Sequence, residues 1–246
     1  MSCRFNVDVL AECESTNTLL LSQAEAGAAA GSVVVARHQT AGRGRRGRSW
    51  LSEAGDSLTF SLLWRFPNRE SLSGLSLAIG VAIARSLESL GIRGIALKWP
   101  NDVLMNGRKL AGVLIEVVPG SRSEAVVIGV GVNLRLPRAM PEEIRQTATA
   151  LSDARITPPT ANTLLATLLV EIHEILERFA QHGFAGLRND WLMRHAFVGQ
   201  AVHLLSDFSA PIEGRCQGVD SDGALLLDTS AGLQRIISGE VSLRKS

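Results

Sequence analysis

The chain has 246 residues, 46% of them hydrophobic, and a formal net charge of +1. That length suits one large domain, or a medium one with a small one, around a substantial core, and near-neutrality argues against a general polyanion-binding surface. Cys3, Cys13 and Cys216 form no C-x-x-C pair, which suggests neither a zinc site nor a disulfide framework, and no apolar window is long enough to span a membrane or to form a signal-peptide core. The expectation is a cytoplasmic protein.

Phe5, Val7 and Val9 alternate with polar residues, as in a half-buried strand. Ser15 or Thr16 is placed to cap a helix running to about Ala26. Val33, Val34 and Val35 form a short buried strand that leads into Gly42-Arg43-Gly44-Arg45-Arg46-Gly47-Arg48-Ser49-Trp50. Residues 58–64 read as another strand. Residues 72–90 are apolar around most of a helical circumference, and Gly91 stops them. Residues 95–99 form a strand ended by Pro100. Residues 103–105 and 109–118 flank Asn106-Gly107, the strongest short hairpin signal, and residues 125–134 are a central strand by their Val and Ile content. Residues 160–182 form an amphipathic helix ended by Gly183.

From about Phe197 the character changes. Short strands are expected at 201–205, 212–219, 224–227 and 236–243, with Asp222-Gly223 as a turn. The fold class is α+β: a mixed, largely antiparallel sheet with helices on one side, plus a small C-terminal barrel. The expected boundaries are 1–195 and 196–246.

Two segments carry the chemistry. In the first, glycines let a backbone approach a ligand closely, while arginines present donor forks that match carboxylate and phosphate oxygens. Composition alone leaves a small-anion site, a solvated basic turn and a nucleic-acid grip all open. The second is Lys98-Trp99-Pro100-Asn101-Asp102, followed by Gly107-Arg108-Lys109-Leu110-Ala111-Gly112-Val113-Leu114-Ile115-Glu116. Together these segments resemble biotin–protein ligases, which activate biotin with ATP and attach it to a carrier lysine. Ser15-Thr16-Asn17, Gln39 and Gly129-Val130-Gly131-Val132-Asn133 extend the resemblance from about Val9 to the C-terminus. Because the first motif arrives at Ser15, the resemblance is to the monofunctional type without an N-terminal DNA-binding domain.

The resemblance implies a class II synthetase-like catalytic sheet and an SH3-like C-terminal domain. It implies that Ser15, Thr16 and Asn17 hydrogen-bond the ureido ring of biotin, with Gln39 on the other side. Gly42, Arg43, Gly44 and Arg45 contact biotin, Trp50 packs on the closed loop or the ring, Gly112 admits the tail and Leu114 walls it. Arg43, Arg45, Arg48, Lys98, Asn101, Asp102, Lys109 and Asn133 serve ATP and the adenylate, with Asn101 and Asn133 as candidates for the adenine edge. Arg45, Lys109 and Asp102 are the catalytic candidates. Asp102 is left three roles: holding Mg²⁺ directly, holding it through water, or orienting Lys98 or Lys109. Each residue also has an ordinary reading, such as helix cap or surface polar group, which the motif outweighs for the polar and charged ones; for Trp50 ordinary core packing and contact with the loop or ring stay equally open.

Between Val132 and Ile156 no aromatic is present to cover an adenine, so Met140 and Ile144 are the available substitutes. Mg²⁺ is the implied cofactor, and the biotin carboxyl carrier domain of acetyl-CoA carboxylase is the implied protein substrate. No nucleic acid or membrane is expected, and a monomer or homodimer is. The rival readings are a lipoate–protein ligase, a nucleic-acid-binding module using the arginine loop, and a biotin-binding regulator without catalysis.

Overall fold

The computed structural model describes residues 5–66, 71–120, 124–206, 212–237 and 241–245; Cys3 lies outside them. Seven strands form the main sheet: β1 (Asn6–Cys13), β2 (Ser32–Gln39), β3 (Ser57–Phe66), β4 (Ile95–Lys98), β5 (Asp102–Met105), β6 (Arg108–Val117) and β7 (Glu124–Asn133). Their order is β1-β2-β3-β7-β6-β5-β4. β1 and β2 are parallel and the other pairs antiparallel. Asn106 (φ 52°) and Gly107 (φ 80°) form the tight β5–β6 turn that the Asn-Gly pair predicts.

The strand period of two separates the faces of this sheet. Val33, Val35, Phe60, Leu62, Val126, Ile128, Val130 and Val132 join one large core. Into that core pack α2 (Leu75–Ser89) and α4 (Ala161–His182), the latter capped by Thr160 Oγ1, which accepts from the Thr163 N–H at 3.1 Å. The intervening residues Val34, Leu63, Ala125 and Val127 meet Leu20 and Ala24 of α1 (Thr16–Glu25) on the opposite face. Helices therefore cover both faces, not one. α1 is short, so the rest of its face stays free for a site.

β1 is not half-buried. It is a sheet edge, and Val7 and Val9 are exposed. Two short helices escape the sequence pattern, α3 (Glu142–Thr147) and α5 (Arg188–Leu192). Both are too brief to show a 3.6-residue period.

A second sheet follows, all antiparallel: β8 (Ala201–Ser206), β9 (Ile212–Val219), β10 (Leu225–Thr229), β11 (Gly232–Ile236) and β12 (Val241–Lys245), in the order β11-β10-β9-β8-β12. The single strand expected at 236–243 is instead two. One pairs with β10 and the other with β8, at opposite edges of the sheet. Among the described residues no pairing of β11 with β12 closes a barrel. Cys13 and Cys216 are free thiols.

The second sheet docks against the first through specific contacts. The Trp99 indole N–H donates to the Gly223 carbonyl (3.0 Å), and Arg188 Nε donates to the Val219 carbonyl (2.7 Å). The chain at 194–196 brackets β4: the Leu97 N–H donates to Arg194 O and the Ala196 N–H to Leu97 O. At the seam, Cys216 Sγ lies 3.6 Å from His195 Nε2, and Trp191 packs on the imidazole at 4.5 Å between ring centroids. Burial pushes the His195 pKa down to about 4.

Candidate active site

A cavity of about 180 Å³ opens on the α1 face of the main sheet. The strand alternation that sends Phe60, Leu62, Val130 and Val132 to the core sends Thr59, Ser61, Gly129 and Gly131 here. Gly112 pairs with Gly131 across β6 and β7. The missing side chains on these strands make the hollow. A Cβ at Gly129 would fall 2.2 Å from Asn17 Oδ1, and one at Gly131 would fall 2.7 Å from two carbons of the Trp50 indole.

At one end the buried residues Ser15, Thr16, Asn17 and Gln39 meet. Gln39 Oε1 accepts from the Thr16 N–H (2.8 Å) and from Thr16 Oγ1 (3.1 Å). Ser61, fully buried and absent from the predicted set, lies 2.8 Å from Thr16 Oγ1 and 2.5 Å from Asn17 Oδ1. Asn17 Nδ2 donates to Glu116 Oε2 at 2.9 Å. Ser15 stands at the N-cap of α1 with extended backbone (φ −155°), yet its side chain makes no capping bond. Its plain reading as a cap therefore fails, and it lines the cavity instead.

The arginine loop lies over this cavity. It is closed on itself: the Gly44 N–H donates to Arg48 O (2.7 Å) and the Trp50 N–H to Gly42 O (2.9 Å). At its tip Arg46 takes φ 60° and Gly47 φ 69°. Arg46 is thus held in a left-handed conformation that costs a non-glycine residue free energy. Arg43, Gly44, Arg45, Arg48 and Trp50 line the cavity, whereas Gly42 stands behind Trp50. Arg43 is turned toward Glu116 Oε1 (2.8 Å) rather than toward the other cations. Trp50 lies across Gly112 and Gly131, and its buried Nε1 has no hydrogen-bond partner among the described residues.

The other end is cationic. Lys109 Nζ is 2.6 Å from Asp102 Oδ1, and Lys98 Nζ is 3.9 Å from Oδ2 of the same carboxylate. Arg45 reaches Asn101 Oδ1 at 3.5 Å. Burial first, then the charge of Arg46, lowers the Arg45 pKa, with Asp102 opposing and Arg48 adding. A guanidinium stays protonated throughout, so this end holds fixed positive charge. Asn101 Nδ2 is already donated to Val113 O (2.9 Å).

Asn133 stands apart from the other expected site residues. It lies outside the cavity lining, and its Nδ2 is donated to Thr149 O at 2.9 Å. That bond ties β7 to the following segment. Met140 and Ile144 are also outside the lining.

Asp102 is the one carboxylate among the lining residues, and two lysines hold it; no group of three or more His, Cys, Asp or Glu is placed to bind a metal among the described residues. One carboxylate makes no all-protein cage for Mg²⁺; a cation in such a setting is held chiefly by phosphate oxygens and water. No described helix is long and apolar enough to cross a membrane.

Residues 9–133 match the Biotin/lipoate A/B protein ligase family and residues 197–244 the Biotin protein ligase C terminal domain. The chain is 37% identical over 243 residues to the bifunctional ligase/repressor BirA of Escherichia coli, covering 98% of this chain and 75% of that one. The chain belongs to the biotin protein ligase family. The biotin--[acetyl-CoA-carboxylase] ligase of Paracoccus denitrificans is 36% identical over 247 residues, covering 95% of this chain and 98% of its own. The Aquifex aeolicus biotin protein ligase, solved in complex with biotin and ATP, superposes with a TM-score of 0.86 at 34% identity over 98% of this chain and 99% of its own.

Proposed function

We propose that the protein is an ATP-dependent ligase that converts biotin to biotinyl-5′-adenylate and transfers it to a lysine of a biotin carboxyl carrier protein. One observation carries this reading. The polar end built from Ser15, Thr16, Asn17 and Gln39 and the cationic end built from Arg45, Arg48, Lys98 and Lys109 share a single cavity under one lid. The first end matches a ureido ring. The second matches a carboxylate meeting a phosphate.

In the first step a biotin carboxylate oxygen bonds to the α-phosphorus of ATP and diphosphate leaves. Two like charges ~4 Å apart repel by about 4 kcal/mol at an effective dielectric of 20. Lys109 and Arg45 offset that repulsion and stabilise the charge gathering on the phosphorus oxygens. Asp102 orients both lysines. This favours the orienting role among the three that the sequence leaves open for it. Mg²⁺ is carried by the nucleotide phosphates rather than by a protein cage. In the second step the carrier amine, having lost a proton, bonds to the acyl carbon and AMP leaves.

The mixed anhydride must be kept from water between the steps. A cavity of about 180 Å³ is smaller than ligand pockets usually are, roughly 300–1,000 Å³. The Arg43–Trp50 lid therefore lifts to admit both substrates and closes again over the adenylate. Arg43 and Gly42 serve as lid supports. The catalytic unit spans residues 1–195 and a C-terminal unit residues 196–246. The enzyme acts in the cytoplasm, as a monomer or homodimer, on the carrier domain of acetyl-CoA carboxylase.

The test is twofold. Biotin should drive ATP–diphosphate exchange, and mass spectrometry should find biotin on one carrier lysine after incubation with ATP. Exchange driven by lipoate and not by biotin would overturn the reading.

A further inference from the structure

We propose that Glu116 is the positioning residue that couples the polar end of the cavity to closure of the lid. The sequence motif contains this carboxylate without giving it a task. Its two oxygens face different parts of the site: Oε2 accepts from Asn17 Nδ2 at 2.9 Å, and Oε1 accepts from Arg43 NH2 at 2.8 Å. Arg43 NH1 also reaches Thr18 Oγ1 on α1, at 3.3 Å. A continuous path therefore runs from Gln39 through Thr16, Ser61, Asn17 and Glu116 to Arg43.

Arg43 sits at the root of the lid, where it forms an antiparallel bridge with Ser49. Fixing its guanidinium fixes the loop base from which Arg45 and Arg48 project. The carboxylate is suited to this because both of its oxygens accept at once. Neither a leucine nor a glutamine could serve both partners. A glutamine turned to keep one contact presents an NH₂ group to a donor at the other.

The geometry has a functional consequence, which rests on the reading of the cavity as a biotin and adenylate site. Asn17 is held by Ser61 on one side and Glu116 on the other. A ligand that orders Asn17 also orders the carboxylate that grips the lid. Glu116 touches no reacting atom, and when the Asn17 contact is kept, as in Glu116→Gln, its effect reaches the intermediate through Arg43.

The experiment compares wild type, Glu116→Gln, Arg43→Ala and the double variant. The first readout needs no ligand: the rate of trypsin cleavage after Arg45, Arg46 or Arg48, with thermal unfolding recorded in parallel. An ion pair of this exposure contributes a few-fold effect, so cleavage in Glu116→Gln should be about fivefold faster at an unchanged unfolding temperature. The second readout is dissociation of biotinyl-5′-adenylate, also about fivefold faster, ~1 kcal/mol. Biotin affinity without nucleotide should stay within about twofold, because glutamine can still accept from Asn17. The double variant should be no worse than Arg43→Ala. Equal cleavage rates in wild type and Glu116→Gln, or additive losses in the double variant, would overturn the proposal. If the wild type shows no biotin-dependent exchange, the functional reading falls while the cleavage arm still decides the latch. Should Glu116→Gln not fold, Arg43→Ala opens the same pair from its exposed side and is read by the same cleavage assay.

Discussion

Gly131→Ala tests whether Trp50 belongs to a movable lid or to the fixed core. The added methyl would stand 2.7 Å from Cε2 and Cζ2 of the indole and 3.1 Å from Cδ2. Carbon atoms pack at ~3.5–4.0 Å, so one partner must yield by about 1 Å. Gly131 lies inside β7, paired with Thr59 of β3 and Gly112 of β6, and cannot retreat. The indole must move, and it carries the lid with it through the Trp50 N–H to Gly42 O bond. Overpacking of a fixed site costs ~1–3 kcal/mol. If the lid absorbs it, that cost falls on the closed state. Biotinyl-adenylate should then escape about 5- to 150-fold faster, at ~1.4 kcal/mol per decade, while thermal unfolding shifts little. Stopped-flow dissociation and a melting curve on the same preparation give both numbers. A large fall in unfolding temperature with unchanged dissociation would refute the reasoning and make Trp50 a core residue.

Three further outcomes follow from the same geometry. Ser61→Ala takes from Asn17 Oδ1 its hydroxyl partner, while Thr16 keeps Gln39 and Asn17 Nδ2 keeps Glu116; a buried acceptor left unsatisfied costs ~1–3 kcal/mol, so biotin affinity should drop about 5- to 150-fold by calorimetry, with the affinity for ATP alone unchanged. Lys109→Ala removes the cation nearest Asp102 and should slow adenylate formation more than it weakens biotin binding; equal losses in exchange rate and in biotin affinity would reduce Lys109 to a binding residue. His195 is neutral in the folded chain down to about pH 4, against 6.5 when unfolded. Between those values the unfolded chain binds the extra proton, so stability is full above pH 6.5 and declines toward pH 4. The loss reaches at most about 3 kcal/mol at 1.36 kcal/mol per pH unit. Urea titrations from pH 7 to pH 4 should show that slope, and His195→Leu should flatten it.

The path from sequence to site was open where chemistry and pattern coincide and closed where only the fold brings residues together. The Asn106-Gly107 turn, α2 and α4 were readable because each rests on local rules of backbone conformation or periodicity. Ser15, Thr16, Asn17, Gln39, Arg45, Trp50, Lys98, Asp102, Lys109 and Gly112 do meet around one cavity, although they come from β2, α1, the lid and three strands. Ser61 was missed, yet its signal was present. In Leu58-Thr59-Phe60-Ser61-Leu62 the polar residues fall at alternate positions of a buried strand, and a small polar side chain on a buried face needs a partner.

Asn133 is a less legible case. An asparagine at the end of a glycine-rich strand looks like a ligand contact, but its amide is used by the carbonyl of Thr149, sixteen residues on. Arg43 shows the same limit. Nothing local separates an arginine that faces a phosphate from one that faces a carboxylate 73 residues away. Both residues carry polar groups that can be satisfied inside the protein as well as by a ligand, and a one-dimensional pattern does not record which partner lies nearer. The glycines at 112, 129 and 131 carry the reverse lesson. A run of glycines in a buried strand is costly, and that cost is explicable only if something must lie against the bare backbone. Here Asn17 and Trp50 do so. The alternation of these strands sets Gly112, Gly129 and Gly131 on the cavity side, where their bare backbone forms the site's floor.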